Sequence, residues 1–512
     1  MSVPVQSVVV VGGGTAGWIT AARIAARHST RAGGVRVTLI ESPTIPTIGV
    51  GEGTWPTMRN TLRKIGITET QFIRECDAAF KQGAKFARWV TGGADDFYYH
   101  PLVLPQGFSK ISLAPYWHHD ARGRSFSSAV CFQEAVCEHG LAPKLITTPE
   151  YAGVANYAYH LNAGKFVELL RRYSVERLGV RHVRDDVTAV NAAPNGDIAS
   201  VTTAASGAIG GELFVDCTGF SALLIGKHFG VPFIDRSDAL FVDNALAVQV
   251  PYDDASAPVA CHTISTAQAA GWIWDIGLQS RRGVGYVYSS RHADHDTAMT
   301  TLRDYAGPRI DGLGVRRIPI RSGHRRLFWQ NNCVAVGLSA GFLEPLEASA
   351  LVLVELSADM LSEQLPPCRE VMDVLAKRFN QTTAYRWDRI IDFLKLHYLL
   401  SQRSEAFWHD NRDSASVPDS LKEQLELWRY CPPGNHDFTS NNEVFPAASY
   451  QYVLYGMGFR TDTRFLDHTL TQADHAREQF QQNDRVIQQT LATLPKHREL
   501  LQKVEQYGFQ TL

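Results

Sequence analysis

Four consecutive valines, Val8 to Val11, precede a glycine-broken turn; residues 15–27 then repeat apolar positions at helical spacing, and a second apolar run follows over residues 35–40. This order predicts a strand buried on both faces, a turn, a helix and a second strand. Further helices are predicted over residues 57–65, over residues 69–89 and from Lys165 through FVELLRRYSVERLG. A strand is expected in VRHVRDDVTAV, followed by a hairpin that ends in GELFVDCTGF. Between about residues 233 and 325 the pattern changes to alternation, predicting strands near 245–250, 271–278 and 283–288. A buried strand over residues 333–336 then leads through a glycine-bearing turn to a long apolar helix opening near Ala348. From about Pro366 onward the pattern is mainly helical, with helices predicted over 368–383, 388–401, 420–428 and 471–491. Residues 90–150, rich in Tyr, His, Gly and Pro, are expected to be irregular.

The first turn carries specific chemistry. Gly12, Gly14 and Gly17 stand at the spacing G-x-G-x-x-G between a buried strand and a helix. Gly12 suits a tight turn, Gly14 lets backbone approach a pyrophosphate, and Gly17 lets the helix pack closely on the strand. Thr15 and Ala16 begin the helix whose N-terminus faces the phosphates, and Glu41 ends the second strand where a carboxylate holds a ribose hydroxyl. FAD and NAD both fit this pattern. The run SPTIPTIGVGEGTWPT is expected to pack against a flat ligand through Ile48, Gly49, Val50 and Gly51, because its prolines forbid a long helix and its glycines allow close approach. The later glycine turn adds Gly337 and Leu346 to the expected cofactor-binding residues.

Composition narrows the partners. The formal charge of -2 gives no reason to expect nucleic acid or an anionic membrane, and the apolar fraction of 45% supports large cores. A small-molecule partner and a cytoplasmic protein, acting as a monomer or homodimer, are expected; the N-terminus shows no basic leader followed by an apolar segment. The eight cysteines form no C-x-x-C, and Cys131 and Cys137 are the closest pair, so reduced and mostly buried thiols are expected. His118 and His119 are adjacent rather than spaced on one face, so no metal site is expected. The expected fold class is α/β: a Rossmann-like core with an inserted β-sheet region and a mainly helical C-terminal subdomain. Residues 1–365 would form the core, including the sheet at about 233–325, and residues 366–512 a substrate-binding helical subdomain packed on it.

Taken together, GGGTAGW at Gly12 to Trp18, IGVGEGT at Ile48 to Thr54, AAFKQGAKF, GWIWDI and GFLEPLEAS resemble the flavin-dependent halogenases of the tryptophan halogenase type. The likeness spans nearly the whole chain. It implies an FAD-binding core, with FAD supplied reduced by a separate NADH-dependent flavin reductase, and a chloride or bromide ion converted to hypohalous acid that halogenates an aromatic substrate. Lys81 matches the family's catalytic lysine and Glu347 the glutamate of its PLE motif. Lys81 and Lys85 stand four residues apart in the helix predicted over residues 69–89, hence on one face. Lys81 would act either as a haloamine, which requires loss of its proton, or as a hydrogen-bond donor, which does not. Ser349 and Ala350, at a helix start, are candidates for halide binding.

Two positions depart from the family pattern. Gly277 stands where the signature G-W-x-W-x-I-P carries proline, and the stretch NNEVFPAASYQYVLYG lacks the tyrosine pair and following glutamate with Phe-Trp that clamp free tryptophan. An indole-type substrate is therefore expected, with His100, Phe445, Tyr450 and Tyr452 as contacts. A flavin-dependent aromatic monooxygenase and a non-catalytic FAD-binding protein share the fingerprint, but neither gives Lys81 and Glu347 a role.

Overall fold

The valine run becomes an inner strand of a six-stranded sheet. The computed structural model describes residues 4–29, 33–45, 51–120, 123–440 and 443–510. The chain divides into two units, each assembled from three segments: 1–78, 161–236 and 321–387 in the first, and 79–160, 237–320 and 388–512 in the second. This interleaving has no counterpart in the linear boundaries expected from the sequence.

In the first unit, the strands run in the order Trp329–Gln330, Cys333–Ala335, Leu213–Asp216, Ser7–Val11, Arg36–Glu41 and Arg181–Arg184. Every neighbouring pair is parallel except the first, in which Trp329–Gln330 is antiparallel to Cys333–Ala335. Val8 and Val10 are fully buried, as a doubly covered parallel strand requires. The helix Thr15–His28 follows the first strand, and the helices Thr57–Ile65, Ala163–Leu178 and Ser349–Glu363 belong to the same unit. Asp216 pins the turn after its strand: one carboxylate oxygen accepts from the Thr218 N–H and hydroxyl, the other from the Leu224 and Ile225 N–H groups. The predicted strand over VRHVRDDVTAV is instead two strands, Arg181–Arg184 and Val187–Ala192, in separate sheets. Asp185 interrupts it, its carboxylate accepting from the Ala205 and Ser206 N–H groups.

In the second unit, a seven-stranded sheet runs in the order Arg316–Pro319, Asn244–Pro251, Arg281–Tyr288, Gly271–Gly277, Thr263–Gln268, Gly83–Ala87 and Phe97–Pro101. Only Thr263–Gln268 and Gly83–Ala87 pair in parallel. Leu246, Val248, Ile273, Val284 and Tyr286 form its core with Ala298 and Leu302 of the helix His295–Ala306. The expected inserted sheet is thus joined by two earlier strands. One of them, Phe97–Pro101, lies within the stretch expected to be irregular, which also holds helices Ala114–Asp120, Phe126–Val130 and Gln133–Glu138.

Two helical expectations are corrected. The predicted helix over 69–89 ends at Glu75; Asp77 adopts a left-handed φ of 52°, and the chain continues as strands Ala79–Lys81 and Gly83–Ala87. Gly83 explains the change: a side chain there would meet the His100 carbonyl at 2.8 Å, so glycine allows two strands to approach where a helix former would not. In the opposite sense, the helices expected over 368–383 and 388–401 are one, Met372–Leu399, because no glycine or proline interrupts it. Among the described residues, no helix is long and apolar enough to cross a membrane.

Candidate functional site

Each glycine of the first turn meets a different constraint. Gly12 has φ of 115°, and a side chain there would overlap the Cys217 carbonyl of the neighbouring strand. A side chain at Gly17 would overlap the Gly12 carbonyl, so the helix lies against the turn. At Gly14 the backbone has φ of -76°, and a side chain would meet nothing within 4 Å. Gly14 therefore borders open space at the N-cap of Thr15–His28, where the first-turn N–H groups of Thr15, Ala16 and Gly17 have no intrahelical acceptor and the first turn carries no acidic residue. This arrangement fits a pyrophosphate. Gly337, at φ of 77°, lies against the same helix: a side chain there would meet the Ala16 Cβ at 2.6 Å.

Glu41 stands at the end of the second strand as expected, half-buried, and its Oε2 lies 2.8 Å from His182 Nε2. His182 in turn meets Trp18 edge-on at 5.1 Å. Gly51 is buried at φ of 123°, whereas Ile48, Gly49 and Val50 lie outside the described residues. Desolvation pushes the Glu52 carboxyl up to about 7.

The late turn of the first unit gathers the second group of expected residues. Leu346 and Glu347 are buried, and the Glu347 carbonyl accepts from the Trp55 indole N–H at 2.8 Å, a brace that nothing in the sequence pattern announces. Ala348 adopts φ of 55°, turning the chain so that the helix begins at Ser349 without a side-chain cap. The Ser349 hydroxyl is buried and, among the described residues, has no hydrogen-bond partner. A helix N-terminus of positive polarity, no acidic residue in its first turn and an unsatisfied buried donor make a fitting site for a small anion. Ala350, next along the helix, is exposed.

In the second unit, Lys81 is 3% exposed and lies on a strand, not a helix. Its strand pairs antiparallel with Ala158–Leu161, placing Lys81 opposite Ala158 and Ala79 opposite His160. Lys81 and His160 therefore share one face, while Phe80 and Tyr159 point to the other. His160 is fully buried, with Nε2 2.9 Å from the Thr263 hydroxyl; burial first, and the Lys81 charge second, hold its imidazole well below its usual value. No sequence signal singles out His160. Lys85 sits on the next strand, its ammonium 2.6 Å from Glu138, so the two lysines are not neighbours on a helical face.

The structure brings the four expected substrate contacts together. His100 Nε2 lies 2.9 Å from the Ser449 hydroxyl, and its ring is 6.3 Å from both Phe445 and Tyr452. Phe393, absent from the sequence expectation, stacks on Phe445 at 3.9 Å and meets Tyr450 edge-on at 4.9 Å. The Tyr452 hydroxyl donates to the Val103 carbonyl at 2.9 Å. Gly277, where the motif has proline, ends its strand opposite Arg282, and a side chain there would press on Val259 and the Ala260 backbone at 2.9–3.1 Å.

Comparison with known proteins gives this arrangement its lineage. The tryptophan halogenase family matches residues 7–472. The tryptophan 6-halogenase SttH of Streptomyces toxytricini is 35% identical over 475 residues, covering 88% of this chain and 89% of that protein. The tryptophan 7-halogenase RebH of Lentzea aerocolonigenes is 35% identical over 446 residues, covering 84% and 83%. Among solved structures, a tryptophan halogenase from Shewanella frigidimarina NCIMB 400 is 50% identical with a TM-score of 0.96, covering 99% of each chain. BrvH, a flavin-dependent halogenase from Brevundimonas sp. BAL3, is 33% identical with a TM-score of 0.86, covering 98% of this chain and 99% of that one. With a nucleotide cradle, a buried lysine and a PLE glutamate all present in a match of this extent, the chain belongs to the tryptophan halogenase family of flavin-dependent enzymes.

Proposed function

We propose that this chain halogenates an indole-type aromatic substrate, with Lys81 holding the halogenating species and Glu347 accepting the proton that leaves the ring. The observation that carries the reading is the burial of Lys81 on a strand, in a residue type seldom hidden from water. When bound in its reduced form, FAD supplies the two electrons that, with dioxygen and a halide, yield hypohalous acid and water. Gly12, Gly14, Thr15, Ala16 and Gly17 hold the pyrophosphate by turn and helix N-terminus, and Gly337 supports the helix from the adjacent turn. The Ser349 hydroxyl and the Ser349 and Ala350 N–H groups bind the chloride or bromide. Lys81 presents its nitrogen to the hypohalous acid, and the Glu347 carboxylate takes up the proton displaced when a ring carbon bonds to halogen.

The aromatic group of His100, Phe445, Tyr450 and Tyr452 supports a flat, apolar substrate, and NNEVFPAASYQYVLYG supplies no counterpart of the tryptophan clamp. Indole or a larger indole derivative, rather than free tryptophan, is the substrate class. A separate NADH-dependent flavin reductase delivers the reduced FAD; the presence of one G-x-G-x-x-G supports this division of labour. Incubation with reduced FAD, dioxygen and bromide, with indole or tryptophan in parallel, tests the proposal by mass spectrometry. Brominated indole in excess of brominated tryptophan is expected; hydroxylated indole would instead identify a monooxygenase, and unchanged indole would reject the assignment.

A further inference from the structure

Cys137 meets the adjacent pair Cys261 and His262 in the second unit, with the chemistry of a metal site. Cys137, Cys261 and His262 are buried, and their potential ligand atoms all lie within 4.8 Å of one another. Cys261 Sγ is 3.9 Å from His262 Nδ1. A zinc ion bound tetrahedrally at about 2.3 Å to sulfur and about 2.0 Å to nitrogen, with water in the fourth position, sets sulfur–nitrogen edges of about 3.5 Å. Ligand atoms within 4.8 Å of one another need to close by roughly 1 Å to reach such a polyhedron.

The hydrogen bonds around the cluster suit the ligating tautomer of the histidine. The Tyr99 hydroxyl donates to Glu138, whose carboxylate is held by Lys85 at 2.6 Å. Its single proton being committed, the Tyr99 oxygen must accept from His262 Nε2, 3.4 Å away. With the proton on Nε2, the Nδ1 lone pair is left toward Cys261. An outer partner that orders an imidazole in this way is the usual companion of a metal-bound histidine.

We propose that Cys137, Cys261 and His262 bind a thiophilic d10 cation, zinc(II). Two thiols and a neutral imidazole take up the ion with release of two protons to solvent, leaving two thiolates to neutralise its charge; a buried site favours that balance. The ion would brace the segment that flanks Lys81: the Cys261 carbonyl accepts from the Gln82 N–H at 2.7 Å, and Thr263 contacts His160.

The test uses the full chain. Purified protein, reduced and stripped with chelator, is titrated with zinc or with cobalt(II) as a spectroscopic probe. About one equivalent is expected to bind, with thiolate-to-cobalt charge-transfer absorption and a rise in Tm on zinc addition. Cys137→Ser, Cys261→Ser and His262→Ala should each weaken binding at least about tenfold, whereas Cys431→Ser should not. FAD affinity serves as the folding control, and the wild-type cobalt spectrum stands without any variant. Absence of the charge-transfer band, equal metal binding by the variants, or a Cys137–Cys261 disulfide found in its place by mass spectrometry would overturn the proposal.

Discussion

Lys81 and His160 lie diagonally on one face of an antiparallel strand pair, and the charge of the first helps keep the second neutral. Lys81→Ala should lower halogenation at least about 100-fold while leaving FAD affinity within about twofold. Removing the ammonium also removes one influence that depresses the imidazole, so the His160 pKa should rise, as followed by imidazole nitrogen NMR. Lys110→Ala, at an exposed position of the same unit, should change neither quantity. Full activity in Lys81→Ala would exclude the assigned role.

Gly14→Val tests the cradle. Its backbone is conformationally ordinary and its side chain would enter open space, so folding should be preserved while FAD affinity falls at least about tenfold by calorimetry. Gly17→Ala should do the reverse in kind, costing about 1–3 kcal/mol of stability or more, because its methyl group has the Gly12 carbonyl in its way.

Ser349→Ala should weaken bromide binding about tenfold, seen as a raised half-saturating bromide concentration with FAD affinity unchanged. The same substitution should raise Tm slightly in the absence of halide, because it deletes a buried hydroxyl that has no partner among the described residues. A lowered Tm with unaltered bromide dependence would remove Ser349 from the anion site.

Glu355 predicts a pH effect on stability. Burial pushes its carboxyl up to about 8 although it accepts from the Thr61 and Thr57 hydroxyls at 2.5 and 3.2 Å. Because the folded value exceeds the unfolded one, the folded state holds more protons between pH 4.5 and 8. Its contribution is complete below that window and is lost as pH rises through it, by up to about 1.4 kcal/mol per pH unit. Urea denaturation of wild type and Glu355→Gln across this range should show the wild type losing stability relative to the variant; parallel curves would mean that Glu355 is ionised when folded.

The glycine turn was legible because Gly12, Gly14 and Gly17 stand at fixed spacing within one strand–turn–helix unit, where a side chain at Gly17 would meet the Gly12 carbonyl and Gly14 borders open space; that Gly12 also answers to Cys217, about 200 residues on, was not. The strand carrying Lys81 was not, because AAFKQGAKF has apolar residues compatible with helical spacing and its ladder partners, Ala158–Leu161 and Thr263–Gln268, lie far along the chain. Nor could spacing reveal His160, Phe393 or the meeting of Cys137 with Cys261, which sequence separation of 124 residues conceals. Helical spacing put Lys81 on a helix, whereas the motif resemblance named it without depending on that assignment; residue identity and secondary structure were separable pieces of information.

The pairing of Ser7–Val11 with Leu213–Asp216 imposes a schedule on synthesis of this protein. One edge of the valine strand is satisfied early by Arg36–Glu41, but Val8 must wait for Leu213 to complete the other. At roughly 5–20 residues per second, the about 200 intervening residues take ~10–40 s to emerge from the ribosome. During that interval the nascent chain carries an apolar strand with an open hydrogen-bonding edge, the kind of surface that pairs with other chains or engages a chaperone. Slower translation between the two strands lengthens this exposure without altering a single residue of the finished enzyme.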